Sequence, residues 1–304
     1  MKNLLFLLLM EDKLTYQGDL TWKLLELKDQ QSVFYWQPIH KDSIFLKPHA
    51  DWDELASAAR SQSGDCPEGM VRVKGNMLSA LLSVPLQNKA CLDGPKWKPG
   101  YLCQKFGSNY LDGQNISSTA QDFCIDAFEF PNIPGEFPVV MASYDDAKAL
   151  CVAQDKRLCG EEEWSFACES EKALPYPQGF NRYTDLTSSF PANIKNPDGC
   201  NYDRLPSRPI NEKNLVLNAR NAKGAFELDR SFNGTRAGDQ SACKSEYGVY
   251  DLTGNVEEWT ARSVGRASIL KGGYWAPVRA RCRLSEDAHG PQHKYYQTGF
   301  RCCF

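Results

Sequence analysis

Tyr247-Gly248-Val249-Tyr250-Asp251-Leu252-Thr253-Gly254-Asn255-Val256-Glu257-Glu258-Trp259 is the stretch on which the reading of this chain turns. Glycines beside aromatic residues indicate backbone passing closely under large side chains. Oxygen-bearing side chains next to Trp259 suit a hard cation. Downstream come Lys271-Gly272-Gly273-Tyr274-Trp275, then Cys282-Arg283, then a terminal Gly299-Phe300-Arg301-Cys302-Cys303-Phe304. Cysteines at the end of the chain suggest a stapled terminus.

The 304 residues are 42% hydrophobic and 24% charged, ordinary values for a soluble globular protein. A net charge of -3 and scattered basic residues give no footprint for nucleic acid. Twelve cysteines stand at 66, 91, 103, 124, 151, 159, 168, 200, 243, 282, 302 and 303. None forms a C-x-x-C pair and only four histidines exist, so zinc ribbons and thioredoxin-type motifs are poorly supported. An even, dispersed set predicts disulfides and an oxidising compartment, periplasmic or secreted. Leu4 to Met10, after Lys2, reads either as a degenerate signal segment or as an apolar first strand. No stretch is long enough to span a bilayer.

Residues 1–65 hold no cysteine and close on Ser61-Gln62-Ser63-Gly64-Asp65, a linker-like run. They are expected to form an appendage of two strands and a helix at Ala50 to Arg60, joined to a main domain over 66–304. In that domain short apolar runs are broken by Gly, Pro, Asn and Asp, and two helices stand out. Ser143 can cap the first, with Asp146 three residues on and Ala147, Leu150 and Cys151 on one face. Glu161-Glu162-Glu163 opens the second at the positive end of its dipole, with Trp164, Ala167 and Cys168 turned inward. The loop-rich region from about 170 to 245 needs cations or disulfides to hold it.

The ordered set Phe123-Cys124-Ile125-Asp126-Ala127-Phe128-Glu129, Pro138-Val139-Val140, the capped helix, Lys156-Arg157-Leu158, Glu162-Glu163-Trp164, Gly254 to Trp259, Gly272-Gly273-Tyr274-Trp275 and Gly299-Phe300-Arg301-Cys302 resembles the sulfatase-modifying factor, or formylglycine-generating enzyme, family. The resemblance implies an irregular α+β fold of low secondary-structure content, C-type lectin-like and stapled by disulfides. It implies pairing of Cys151 with Cys302 and of Cys168 with Cys282, with a further crosslink plausible at Cys159. It also implies structural calcium, held at Asn193 and Ile194, with Asn201 and Asp203 as the competing positions, and at Asn255, Val256 and Glu258, where the alternative is a hydrogen-bonded turn in which Asn255 caps and Glu258 pairs with an arginine.

Active members of that family hold copper between two cysteines located after the Gly-Gly motif, a soft ligand pair suited to Cu(I). Here Tyr274 to Arg281 contains no cysteine, so copper is not expected. The leading expectation is a non-catalytic binding module for a protein, peptide or glycan. Its contact surface would comprise Trp259, Tyr274, Trp275, Arg279, Arg281 and Arg283, with the two tryptophans in the core as the alternative. The rival expectation is a metal-dependent oxidoreductase acting on a protein client. His289-Gly290-Pro291-Gln292-His293 reads as a pair of solvent-exposed loop histidines, because Gly-Pro breaks helical spacing.

Overall fold

The computed structural model describes residues 66–94, 103–140, 142–182, 199–202, 233–263, 265, 267–276, 280–293 and 295–304, together with the backbone of three strands that precede them. Those three strands, β1 (Phe6–Leu7), β2 (Leu20–Glu26) and β3 (Phe34–His40), form one antiparallel sheet in the order β1-β2-β3. The helix expected at Ala50 to Arg60 lies outside the described residues.

In the main part, β4 (Met70–Leu78) and β5 (Ser118–Asp126) pair antiparallel over nine residues each. Between them runs α1 (Ala80–Lys89). Then follow α2 (Tyr144–Val152), β6 (Arg157–Leu158) and α3 (Glu161–Glu169). The last part of the chain supplies β7 (Glu257–Ala261), β8 (Ser268–Lys271), β9 (Ser285–Glu286), β10 (Thr298–Phe300) and β11 (Cys302–Cys303). Two four-stranded sheets result, β4-β5-β11-β6 and β10-β7-β8-β9. All their pairings are antiparallel except β7 with β10. The last seven residues therefore contribute to both sheets.

Local chemistry sets the two anticipated helices. Ser143 Oγ accepts from the Asp146 N–H at 3.1 Å while the Asp146 carboxylate accepts from the Ser143 N–H at 3.0 Å, a reciprocal capping box. Ala147, Leu150 and Cys151 are buried on the inner face. At α3 the Gly160 N–H donates to Glu163 at 2.8 Å, and Trp164, Ala167 and Cys168 are fully buried. Trp164 and Phe166 join Val71, Val73, Phe123, Ile125 and Leu252 in one core cluster. Leu150, Trp259, Leu270 and Phe300 join Phe130 and Val139 in a second.

Six disulfides use all twelve cysteines: Cys66–Cys124, Cys91–Cys103, Cys151–Cys302, Cys159–Cys303, Cys168–Cys282 and Cys200–Cys243. Both pairs expected from the resemblance are present. Cys302 and Cys303 lie in one strand, so their side chains point to opposite faces, one reaching α2 and the other the approach to α3. Asp126 completes the anchor: its carboxylate accepts from the Cys302 N–H at 3.0 Å and pairs with Lys156 at 2.6 Å.

Candidate functional site

The Gly254–Trp259 turn is built around buried carboxylates. Gly254 has φ of +83°, and a Cβ there would lie 2.5 Å from the Asn201 carbonyl oxygen, so only glycine fits. Asn255, also at positive φ, accepts through Oδ1 from the Thr235 N–H at 2.7 Å and from Asn201 Nδ2 at 3.0 Å. Its Nδ2 donates to Glu129, and the Val256 N–H donates to the same carboxylate at 3.0 Å. The Asn255 side chain is thus consumed in fixing the turn.

Glu258 is equally occupied. Its Oε1 accepts from Arg301 Nη2 at 2.7 Å, and its Oε2 accepts from Arg301 Nε at 2.8 Å and from Trp164 Nε1 at 2.8 Å. Arg301 also donates to the carbonyls of Tyr250 and Asp126. Both partners are completely buried. The Asn255 and Glu258 side chains thus take part in a hydrogen-bonded turn with an arginine partner.

Two more carboxyl groups lie beside this pair. Glu129 and Asp251 are fully buried beside Glu258. Burial, with Asp251 and Glu258 close by, raises the Glu129 carboxyl well above the usual carboxylate range. Asp251 is pushed up to about 8 by burial and by nearby Asp239 and Glu258, with Arg301 and the Gly238 backbone giving partial relief. No side-chain donor meets either Asp251 oxygen. Three carboxylates and one guanidinium give this pocket an excess of acid.

The aromatic face lies after the Gly-Gly motif. A Cβ on Gly272, at φ of +84°, would meet the Leu252 carbonyl oxygen at 2.8 Å. Trp275 is 1% exposed, and its ring packs on those of Tyr274 and Tyr296. Trp259 is also 1% exposed and donates to the Ala142 carbonyl at 2.9 Å. Arg281 is buried, bonded to Gln87 and Asn88 at 2.7 Å each. Arg283 is buried in an ion pair with Glu169. The expected contact surface is therefore corrected: Trp259, Trp275, Arg281 and Arg283 are interior residues, and the bonds of the two arginines tie the final loops to α1 and α3. Tyr274 keeps partial exposure, whereas Arg279 lies outside the described residues, as do Asn193 and Ile194.

A protein-family comparison matches residues 103–304 to the sulfatase-modifying factor enzyme 1-like domain. The chain belongs to this family. Its sulfatase-modifying factor domain has the C-type lectin-like α+β fold expected from the sequence, low in helix and stapled by disulfides. Among named relatives, inactive C-alpha-formylglycine-generating enzyme 2 of Bos taurus is 31% identical over 183 residues, covering 55% of this chain and 50% of the relative. Formylglycine-generating enzyme of Mus musculus is 25% identical over 179 residues, covering 54% of this chain and 38% of the relative. The chain spans about half or less of the length of these relatives.

Within this sulfatase-modifying factor domain, sequence reasoning missed Glu129 and Asp251 as buried carboxyl groups of the site. Both occur in the motifs already quoted. The signal that could have found them is that each is an acid on a buried, turn-rich motif with no basic residue among its neighbours in sequence.

Proposed function

We propose that this member of the family is a non-catalytic binding module working in an oxidising compartment, periplasmic or extracellular, with a protein, peptide or glycan as its ligand. The observation that carries the reading is the use of all twelve cysteines in disulfides. A Cu(I) centre of the formylglycine-generating type needs two thiolates. Cys282 and Cys303, the cysteines nearest to the Gly-Gly motif and the terminus, are bonded to Cys168 and Cys159. The donors present do not fit copper. The inactive designation of the Bos taurus relative points the same way. The contact face of this proposal is Tyr274 with Tyr295, half-buried aromatics that offer area beside a rigid core.

The deciding experiment supplies copper, reductant and a cysteine-containing sulfatase peptide to the purified protein and follows aldehyde formation by mass spectrometry. No aldehyde is expected, and multiple turnover would overturn the reading. Binding is tested in parallel on peptide and glycan arrays. Retention of a ligand that is lost in Tyr274→Ala supports the module, whereas no retention in either array sinks it.

We also propose that calcium is the structural ion, held by Asp251 and Glu129 with the Val256 carbonyl rather than by the Asn255 side chain. Support comes from the excess of carboxyl groups over cations in the pocket and from Asp251 oxygens that no side-chain donor meets. Calcium added to chelator-treated protein is expected to raise its thermal midpoint, and Asp251→Asn to abolish that rise. An equal rise in the variant, or none in the parent, removes the ion from this site.

A further inference from the structure

His289 and His293 stack on each other, with ring centroids 3.8 Å apart and planes inclined by 11°. A turn closed by the His293 N–H on the Gly290 carbonyl at 3.0 Å folds one ring over the other. Both residues are half-buried, which corrects the reading of solvent-exposed loop histidines. Nitrogen lone pairs lie in the ring planes, so parallel rings do not aim them at one point, and the pair is not arranged as a chelate. His293 Nε2 is buried without a hydrogen-bond partner.

The loop carrying the pair is fastened at two places. The Pro291 carbonyl accepts from the Tyr144 N–H, at the first residue of α2, at 3.0 Å, and the Gln292 amide donates to the Asp145 carboxylate. Past His293 the loop lays Tyr295 and Tyr296 beside each other, and Tyr296 packs on Tyr274 and Trp275. One short segment thus joins the stacked imidazoles, the start of α2 and the cover of the aromatic face.

We propose that the His289–His293 stack is an acid-sensitive latch: protonation of both rings releases Pro291 and Gln292 from the start of α2 and uncovers Tyr274 and Trp275. Two imidazolium charges at stacking distance repel by several times thermal energy at the effective dielectric of a protein surface. Tyr295 packs against His293 with ring centroids 5.6 Å apart, the start of α2 brings Tyr144 and Asp145 to Pro291 and Gln292 between the two histidines, and in sequence Glu286 and Asp287 precede the pair and Lys294 follows it. Asp145 is engaged by Gln292, and among the described residues the charge acting on His293 is that of His289.

Burial first, and His289 second, lower the His293 pKa to about 4 from 6.5. The open loop, with the ordinary value, takes up the proton before the closed one does. The closed state is therefore favoured fully above pH 6.5 and loses that advantage as the pH falls towards about 4. The latch is independent of what the aromatic face binds.

Hydrogen exchange of the whole protein, corrected for intrinsic rates, tests it at pH 7.5 and pH 5. Protection of the segments at 142–146 and 287–297 is expected to fall about tenfold or more at the lower pH while β7 and β8 keep theirs. The double variant His289→Gln, His293→Gln is expected to hold its protection at both. Equal protection of the parent at both pH values, or the same loss in the variant, overturns the proposal. Should the variant loop be unprotected already at pH 7.5, the parent decides. Its loss of protection must then share a midpoint with the titration of these imidazoles followed by NMR, and a midpoint that tracks neither histidine overturns the latch.

Discussion

Arg301 shows how one residue of the terminal motif is held by long-range chemistry. Its guanidinium meets both oxygens of Glu258 in a site with no solvent contact, and two carbonyls take further N–H groups. Removing one member of such a pair leaves the other charged and buried, which costs about 3–5 kcal/mol. Arg301→Met is expected to lose that much in urea denaturation; a loss below about 1 kcal/mol would mean that Glu258 is relieved by some other cation. Gly254→Ala tests the turn itself, since the new Cβ meets backbone and the positive φ is retained. Strain of this kind alone is worth about 1–3 kcal/mol, and a neutral result would show that the turn can relax. The terminal Gly-Phe-Arg-Cys could be read as family identity, but not the Glu258 bond of its arginine, because the partners are 43 residues apart. The same limit hid Arg281 and Arg283: arginine reads as a surface residue until its acceptors, Gln87, Asn88 and Glu169, are located.

Among the elements, α2 and α3 were legible because capping and face periodicity are local signals. Ser143, three acids at the head of α3, and the inward cysteines appear in the sequence in the order in which the structure uses them. The first helix was not legible. Pro85 sits within α1, where a missing N–H and a clash with the preceding turn would cost an isolated helix about 3 kcal/mol, and Ser79 makes no side-chain cap. Tertiary bonds hold it instead: Gln87 and Asn88 accept from Arg281, and the Gln87 amide donates to the Ala173 carbonyl at 3.2 Å. The contrast predicts unequal results for matched substitutions. Ser143→Ala should cost about 1 kcal/mol through the lost cap, whereas Ser79→Ala should stay within about 0.5 kcal/mol. Equal losses, measured by thermal or urea denaturation, would mean that the cap on α2 contributes nothing beyond helix propensity.

At the scale of the molecule, sparse secondary structure is compensated by crosslinks that span most of the domain. Family motifs made the fold class and two pairings legible, because they fix chain order. The remaining pairings were not, since cysteine spacing alone permits many connectivities and only the packed sheets bring Cys159 to Cys303 or Cys66 to Cys124. Sequence separation sets how much each crosslink restricts the unfolded chain. Cys151–Cys302 closes 151 residues and Cys91–Cys103 only 12. In the chain-entropy account these are worth about 5 and about 3 kcal/mol. Paired replacement of Cys151 and Cys302 by alanine should therefore lower stability more than the same change at Cys91 and Cys103. The first pair has a further reason to matter, because it secures β11 between β5 and β6 and with it the peptide that carries Arg301 to Glu258. Loss of this link should loosen the terminal strand as well as destabilise the whole, so chymotrypsin is expected to cut after Phe300 in the Cys151–Cys302 variant, read as loss of the last four residues once the Cys159–Cys303 bond is reduced, while the Cys91–Cys103 variant stays uncut there. If both variants retain the terminus and lose equal stability, the terminal strand is held by its hydrogen bonds and by Cys303 alone, and the crosslink to α2 acts only on the unfolded chain.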